Sequence, residues 1–419
     1  MQVNGRLRVP GDKSISHRAL IFAALATGES RITGLLTSAD VQSTADILRA
    51  LGVSIPSLVS GSITVRGRGP TALHGPGGSL DAGNSGTTTR LMAGVLAGCP
   101  FEARVIGDAS LSKRPMGRVA EPLTAMGARF AFENGDGLPM IVTGGRLTGL
   151  TWRSLTASAQ VKGAILLAGF VGGVPVEVHE PVLSRDHTER MMRGRGVDVR
   201  SAGTVATLSP GAPMAPLDTA VPGDPSSAAF FAALATLAAS GDIELPDVCA
   251  NPARTGAFRV LDRMGACIGW EEMNDEGGEP SATLVVSPRD RRGTVIEPHE
   301  VPSLIDELPM LACVASRCSG ETRVTGAGEL RVKESDRIAL VVKNLRAIGA
   351  DADELPDGFV VRGSDKPLAG RIETEGDHRI AMAFGVLGAA TGGAIEVDDR
   401  ACVAVSYPTF WTDLANVCR

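Results

Sequence analysis

The sequence predicts an α/β protein of two domains, each made of three repeat units with buried helices inside and sheets outside. Three observations lead there. Apolar segments rich in Ala and Gly recur six times, at residues 19–28, 89–98, 163–173, 228–241, 308–320 and 379–393, each closing on Gly. Six amphipathic segments alternate with them, at 48–53, 123–128, 192–197, 261–266, 345–350 and 410–417, and all but the last carry a Gly near their end. The stretch VPGDKSISHRALIFAALATG (9–28) returns in near copy as VPGDPSSAAFFAALATLAASG (221–241). Such a period marks a repeat architecture.

Each element of the unit follows from its residues. The apolar segment is hydrophobic on nearly every side, so it is a helix destined for a core. Its closing Gly reads as a C-terminal stop. The run after it alternates in the period of a strand, as in ESRITGL (29–35), FEARVIG (101–107), VPVEVHE (174–180), GDIELPD (241–247), GETRVTG (320–326) and GAIEVDD (393–399). The amphipathic segment is a helix that packs one face inward. A further short strand follows it, as in ARFAFE (128–133). The unit therefore reads strand, apolar helix, strand, amphipathic helix, strand. A six-unit solenoid would share this periodicity. The return of VPGD marks the first unit of a second half and favours two domains, 10–220, and 1–9 together with 221–419.

Composition narrows the function classes. A chain of 419 residues that is 43% apolar can bury large cores. A net charge of −6 argues against bulk nucleic-acid binding. Seven scattered cysteines without a CxxC pair suit a reducing, cytoplasmic setting. No apolar run reaches membrane-spanning length, and MQVNGRLRVPGD has neither the apolar core of a secretory signal nor transit-peptide character. A cytoplasmic monomer with no membrane or nucleic-acid partner is expected.

The two VPGD copies differ in charge, Lys13 being matched by Pro225 and Arg18 by Phe230. A lysine at a helix start opposes the macrodipole unless an anion lies there too, held in part by the helix N-terminus. Arg18 follows Ser14 by four residues, on the same helix face. Similar groups stand at other helix mouths. DAGNSGTTTR (81–90) offers backbone N–H groups and small hydroxyls, without the lysine of a P-loop. SLSKRPMGR carries Lys113 and Arg114. TASAQVKGA carries Ser158, Gln160 and Lys162. EGDHRIAMAFG carries His378 and Arg379, and LRVKESDRIAL sets Lys333, Glu334 and Arg337 within about one helical turn. Each alone reads equally as a solvated helix end. Together they point to one polyanion site.

PGDKSISHRAL, GNSGTTTRL, SKRPMGR, SAQVKGA, SRDHTERM, LIDELPMLA, RVKESDR and DHRIAMAF, in that order, resemble the EPSP synthase (3-phosphoshikimate 1-carboxyvinyltransferase) family across essentially the whole chain. The closer resemblance is to the branch with SAQ and SRDHTERM. It implies two domains of three βαβαββ units, an inside-out α/β barrel. It also implies an enzyme that joins the enolpyruvyl group of phosphoenolpyruvate to the 5-hydroxyl of shikimate 3-phosphate by addition and elimination, without metal or redox cofactor. On this resemblance shikimate 3-phosphate is held by Lys13, Ser14, Arg18, Ser158, Gln160, Asp306 and Lys333, with Ser184 and Arg185 as further candidates. Phosphoenolpyruvate is held by Lys13, Gly86, Arg114, Gln160, Arg337 and Arg379. Lys13 belongs to the catalytic set with Asp306 as proton acceptor and Glu334 as proton donor, and glyphosate is the implied inhibitor. Asp306 could alternatively cap the following helix. Two departures stand out: Val405 replaces a lysine that one branch uses for phosphoenolpyruvate, and Glu329 replaces an asparagine that contacts shikimate.

Other readings share part of the pattern. The sister transferase acting on UDP-N-acetylglucosamine has a loop cysteine where this chain has Ala109, and KN where it has Lys13–Ser14. RNA 3′-phosphate cyclase relatives are disfavoured by the acidic balance. A non-catalytic repeat scaffold would have no need of Asp306, Glu334, Lys333 and Arg337 together.

Overall fold

The computed structural model describes residues 1–59, 61–274 and 278–418, and among them twelve α-helices alternate with the strands of six separate sheets. The chain forms two compact units. The N-terminal unit is Gly11–Val221 with the short stretch that ends at Glu279. The C-terminal unit is Met1–Pro10, Pro222–Asn274 and the chain from Pro280 onward.

The N-terminal unit holds α1 (Lys13–Leu25), α2 (Ala39–Ala50), α3 (Gly86–Ala97), α4 (Gly117–Ala125), α5 (Ala159–Gly172) and α6 (His187–Gly194). The C-terminal unit holds α7 (Pro225–Leu237), α8 (Gly256–Met264), α9 (Leu308–Ala315), α10 (Arg337–Ala347), α11 (His378–Ala390) and α12 (Phe410–Val417). The odd-numbered helices are the apolar ones. All of α7 is buried, as is α1 from Ile15 to Leu25. Strands alternate instead: Ile63–Arg68 buries every second residue, so its sheet covers the helices with one face and meets water with the other.

Sheet register shows how one unit is wound. Leu80–Asp81 pairs in parallel with Glu102–Ile106 across α3. Met140–Thr143 pairs antiparallel with Glu102–Ile106, and Arg129–Phe132 joins its outer edge. The same order recurs in the sheets that contain Val176–His179 and Glu321–Val324. Since the six sheets remain separate, they close no barrel; the inside-out arrangement is one of layers only. The first strands of the two halves are exchanged. Gln2–Arg6 precedes α1 in sequence but pairs with Ser240–Cys249, after α7. Thr219–Ala220 precedes α7 but pairs with Thr27–Thr33, after α1.

The closing glycines behave differently from the expected helix stops. Gly173 does end α5 in a left-handed conformation, with φ 65°. In contrast α1 ends at Ala26, which is extended, and the chain runs directly into a strand that contains Gly28. Helix α9 stops at Ala315, before Gly320. A different glycine, Gly94, sets the helix spacing: a Cβ there would lie 2.2 Å from the carbonyl oxygen of Ala164, so α3 and α5 touch backbone to backbone.

Candidate active site

Polar caps open the buried helices of the N-terminal unit. Asp12 accepts the Ile15 N–H at 2.8 Å and fixes the start of α1. Lys13 then reaches Asp40 at the start of α2, 3.0 Å away. One turn on, Arg18 is 3% exposed. Its Nε donates to the Thr188 hydroxyl at 2.8 Å and an Nη to the Ser14 carbonyl at 3.0 Å, both neutral oxygens. Burial pushes its pKa down to about 10, against the pull of Glu189, Asp12 and Glu279, and the cation of Arg185 depresses it further. A buried guanidinium bonded to neutral oxygens beside a second cation is a site prepared for an anion.

Ser85 caps α3 by accepting the Thr88 N–H, and Ser158 caps α5 by accepting the Val161 N–H. The two helix starts are tied together by Gln160, whose Oε1 accepts from Arg90 at 2.7 Å and whose Nε2 donates to the Thr87 hydroxyl at 3.0 Å. Gly86 lies against this bond. A Cβ there would be 2.9 Å from Arg90 Nη1 and 3.5 Å from Arg114 Nη1. Arg114 is anchored by Asn84 Oδ1 at 2.6 Å, and Asn84 in turn donates to Asp108. Gly86, Arg90, Arg114 and Gln160 thus form one cluster. Arg90 and Asn84 were not among the sequence candidates. The i,i+4 spacing of Gly86 and Arg90 was the available signal.

Lys162 takes a different place from the one its position at a helix mouth suggested. It is buried between Glu180 (2.7 Å) and Glu189 (2.8 Å). Burial alone would lower its pKa, but the two carboxylates outweigh that and raise it. It is a structural ion pair rather than an anion receptor. Lys113 is exposed on a short turn.

In the C-terminal unit Asp306 lies in a one-turn 3₁₀ segment, Ile305–Glu307, and does not cap α9. Its Oδ1 is 3.5 Å from both Lys333 Nζ and Arg337 Nη1. Lys333 and Glu334 precede α10 rather than sharing its first turn with Arg337, because the chain makes a 3₁₀ turn at Gly328–Val332 and Asp336 then caps α10. Arg337, 1% exposed, is encircled by acids: Glu334 at 2.6 Å, Asp377 at 2.7 Å, and Asp306. Burial would raise the pKa of Asp377, but the guanidinium overrides it and holds the carboxyl below its usual range. Asp377 also caps α11 through the Arg379 N–H. The Arg379 side chain donates to the Asp306 carbonyl at 3.2 Å and lies 3.6 Å from Glu307.

The uncharged VPGD copy is built into this cluster. Asp224 caps α7, Arg254 bonds both Asp224 and Ser226, and the Ser226 hydroxyl donates to Glu307. Where the first copy presents cations, the second buttresses the carboxylate beside Arg379. None of the seven cysteines is joined to another in a disulfide, and burial pushes the Cys99 and Cys318 thiols up to about 12.

Comparison with known proteins gives one consistent result. A family model described as EPSP synthase (3-phosphoshikimate 1-carboxyvinyltransferase) matches residues 1–414. The 3-phosphoshikimate 1-carboxyvinyltransferase of Sulfurihydrogenibium sp. (strain YO3AOP1) is 47% identical over 423 residues, covering 100% of this chain and 98% of that protein. The protein of the same name from Desulfitobacterium hafniense (strain DSM 10664 / DCB-2) is 48% identical over 410 residues, covering 98% and 94%. The solved structure of EPSP synthase from Acinetobacter baumannii aligns with a TM-score of 0.88 at 41% identity, covering 100% of this chain and 96% of that one.

Proposed function

The chain belongs to the EPSP synthase family, and from that premise we propose how its residues divide the work. It is an enzyme of the shikimate pathway that transfers the carboxyvinyl group of phosphoenolpyruvate to shikimate 3-phosphate and releases phosphate. The substrates carry a phosphate and a carboxylate each, so cations must offset their mutual repulsion. Arg18 carries the reading: a guanidinium 3% exposed, bonded to neutral oxygens, is matched to a phosphate.

In this proposal Lys13, Ser14, Arg18, Ser158 and Gln160 bind shikimate 3-phosphate, with Asp306 and Lys333 at its hydroxyls. Lys13, Gly86, Arg114, Gln160, Arg337 and Arg379 bind phosphoenolpyruvate. Arg90 joins them through its bond to Gln160. Asp306 takes the 5-hydroxyl proton as the oxygen adds to C2, while Lys333 and Arg337 beside it offset the charge. Glu334 delivers a proton to C3. Glu334 stands 2.6 Å from Arg337, which places it beside the phosphoenolpyruvate group of this proposal. Phosphate then leaves with the C–O electron pair and takes up the proton held by Asp306, as C3 returns its proton to Glu334 and the double bond re-forms. A cytoplasmic monomer is part of the same proposal; cysteines held as thiols rather than disulfides suit a reducing compartment.

The test is phosphate release from phosphoenolpyruvate, with shikimate 3-phosphate or UDP-N-acetylglucosamine as acceptor. Release is expected with the former alone; release with the latter alone overturns the assignment. Asp306→Asn and Glu334→Gln should each slow turnover by about 10²–10⁴-fold while substrate binding persists. Near-normal turnover in both variants removes these residues from the chemistry.

A further inference from the structure

We propose that Glu180 is the positioning residue for the phosphate end of shikimate 3-phosphate. The inference rests on the reading of Ser158 as a ligand of that phosphate. Glu180 follows the strand Val176–His179, and its carboxylate is withdrawn from solvent, the side chain being 1% exposed. Two stretches converge on it, the start of α5 and the turn that follows Glu180 itself. The Ser158 N–H donates to Oε1 at 2.9 Å. The Ser184 hydroxyl donates to Oε2 at 2.8 Å, with the Ser184 N–H at 3.4 Å. Lys162, one turn into α5, meets Oε2 at 2.7 Å.

The donor arrangement gives this convergence a purpose. Ser158 spends its backbone N–H on Glu180, and its hydroxyl oxygen accepts from the Val161 N–H. Its own hydroxyl proton is therefore left to donate to a ligand, in a direction set by the cap. Ser184 uses its hydroxyl proton on Glu180 and so holds the segment that leads into α6; Arg185 lies in that segment and the Arg18 partner Thr188 in the first turn of α6. One buried carboxylate thus orients the Ser158 donor and ties down the segment that positions Arg18. Lys162 and Glu189 complete the charge balance: Lys162 lies between the two acids, and Glu189 is the acid that acts most on Arg18.

Glu180→Gln puts an N–H₂ where one of the carboxylate acceptors was, so the Ser158, Ser184 and Lys162 donors compete for a single oxygen. The KM for shikimate 3-phosphate should rise about 5–50-fold, as expected when charge-assisted bonds are lost. The KM for phosphoenolpyruvate at saturating shikimate 3-phosphate, and kcat, should change less than about threefold on the same grounds. Calorimetry should show the affinity gap between shikimate 3-phosphate and unphosphorylated shikimate narrowing, since only the phosphorylated ligand uses this end. Glu180→Asp keeps the charge beside Lys162 but draws the carboxylate back from Ser158, so it serves if Glu180→Gln fails to fold; the same direction of effect is expected. Ser158→Ala separates the two levels of inference. If it raises the KM for shikimate 3-phosphate while the folded Glu180 variants do not, the positioning role is wrong and the ligand reading stands. An unchanged KM in Ser158→Ala removes that ligand reading and the proposal with it. Equal affinity losses for both shikimates, or a fall in kcat with KM unmoved, would mark Glu180 as general scaffolding and also overturn it.

Discussion

His17, between Lys13 and Arg18, is fully buried and plays no part in the proposed chemistry. Its Nδ1 lies 2.7 Å from the Thr44 hydroxyl, which meets Thr88 at 2.7 Å, so it ties α1 to α2 and α3. Burial drives its pKa from 6.5 down to about 3, with Asp40 pulling the other way and the cations of Lys13 and Arg18 adding to the depression. The unfolded chain therefore takes up a proton near pH 6.5 that the folded chain refuses until about pH 3. Between those values the unfolded state binds more protons, and stability is lost as pH falls, by up to about 1.4 kcal/mol per pH unit. In His17→Asn, denaturant titrations should give a flatter loss of stability over that window; an unchanged slope assigns the acid sensitivity elsewhere. Thiols give a second residue-scale prediction. Ala109 stands at the loop position, and burial pushes the Cys99 and Cys318 thiols up to about 12, away from the thiolate form a nucleophile needs. Native protein treated with iodoacetamide at neutral pH should keep its activity, and time-dependent inactivation with protection by phosphoenolpyruvate would contradict this.

At the scale of elements, α3 and α5 meet backbone to backbone at Gly94 and Ala164. Gly94→Ala puts a methyl 2.2 Å from the Ala164 carbonyl, and backbone cannot yield as a side chain can. The helices must separate, at a cost of about 1–3 kcal/mol or more. Because Gly86 and Arg90 start one helix and Ser158 and Gln160 the other, activity should fall along with the melting temperature. A stable but inactive variant would be explained, whereas a variant normal in both respects would refute the close approach. Gly86→Ala is milder, since its Cβ would press on the ends of Arg90 and Arg114, at 2.9 and 3.5 Å. The KM for phosphoenolpyruvate should rise several-fold, on the order of 1 kcal/mol, and glyphosate, the larger occupant of the same site, should weaken more. Equal weakening of the two would mean that Gly86 serves only its backbone. These helices were legible in the sequence, because period, apolar content and caps are local. The closing glycines Gly98 and Gly173 end α3 and α5 as read, whereas α1 stops before Gly28, because a chain entering a strand directly, as at Ala26, needs no left-handed stop.

At the scale of the whole molecule, the exchange of first strands makes the chain start part of the C-terminal unit. A chain lacking residues 1–7 loses the pairing of Gln2–Arg6 with Ser240–Cys249 and the bridge from Val3 to Cys418. Hydrogen exchange should then show lost protection in Ser240–Cys249 and Phe410–Val417, with the helices of Gly11–Val221 unchanged; a uniform loss would deny the division into units. The sequence by itself determined the six-fold repeat, the helix and strand types, and the residues at the helix mouths, since these depend on hydrophobic period and turn chemistry within a few residues. Only the tertiary structure decided which charges serve which end. Lys162 and Arg18 look alike as cations near helix starts, yet one is consumed by Glu180 and Glu189 while the other bonds neutral oxygens. Arg337 reads in the sequence as one cation at a helix start, and the fold sets Glu334, Asp377 and Asp306 around it. Glu180 carries no motif at all, yet Ser158 and Lys162 reach it from the start of α5, a separate stretch of chain, and Ser184 from the turn four residues on. Ion pairs and strand partners of this kind are long-range contacts, fixed by the register of packed elements, and no local pattern encodes which acid a given cation will meet.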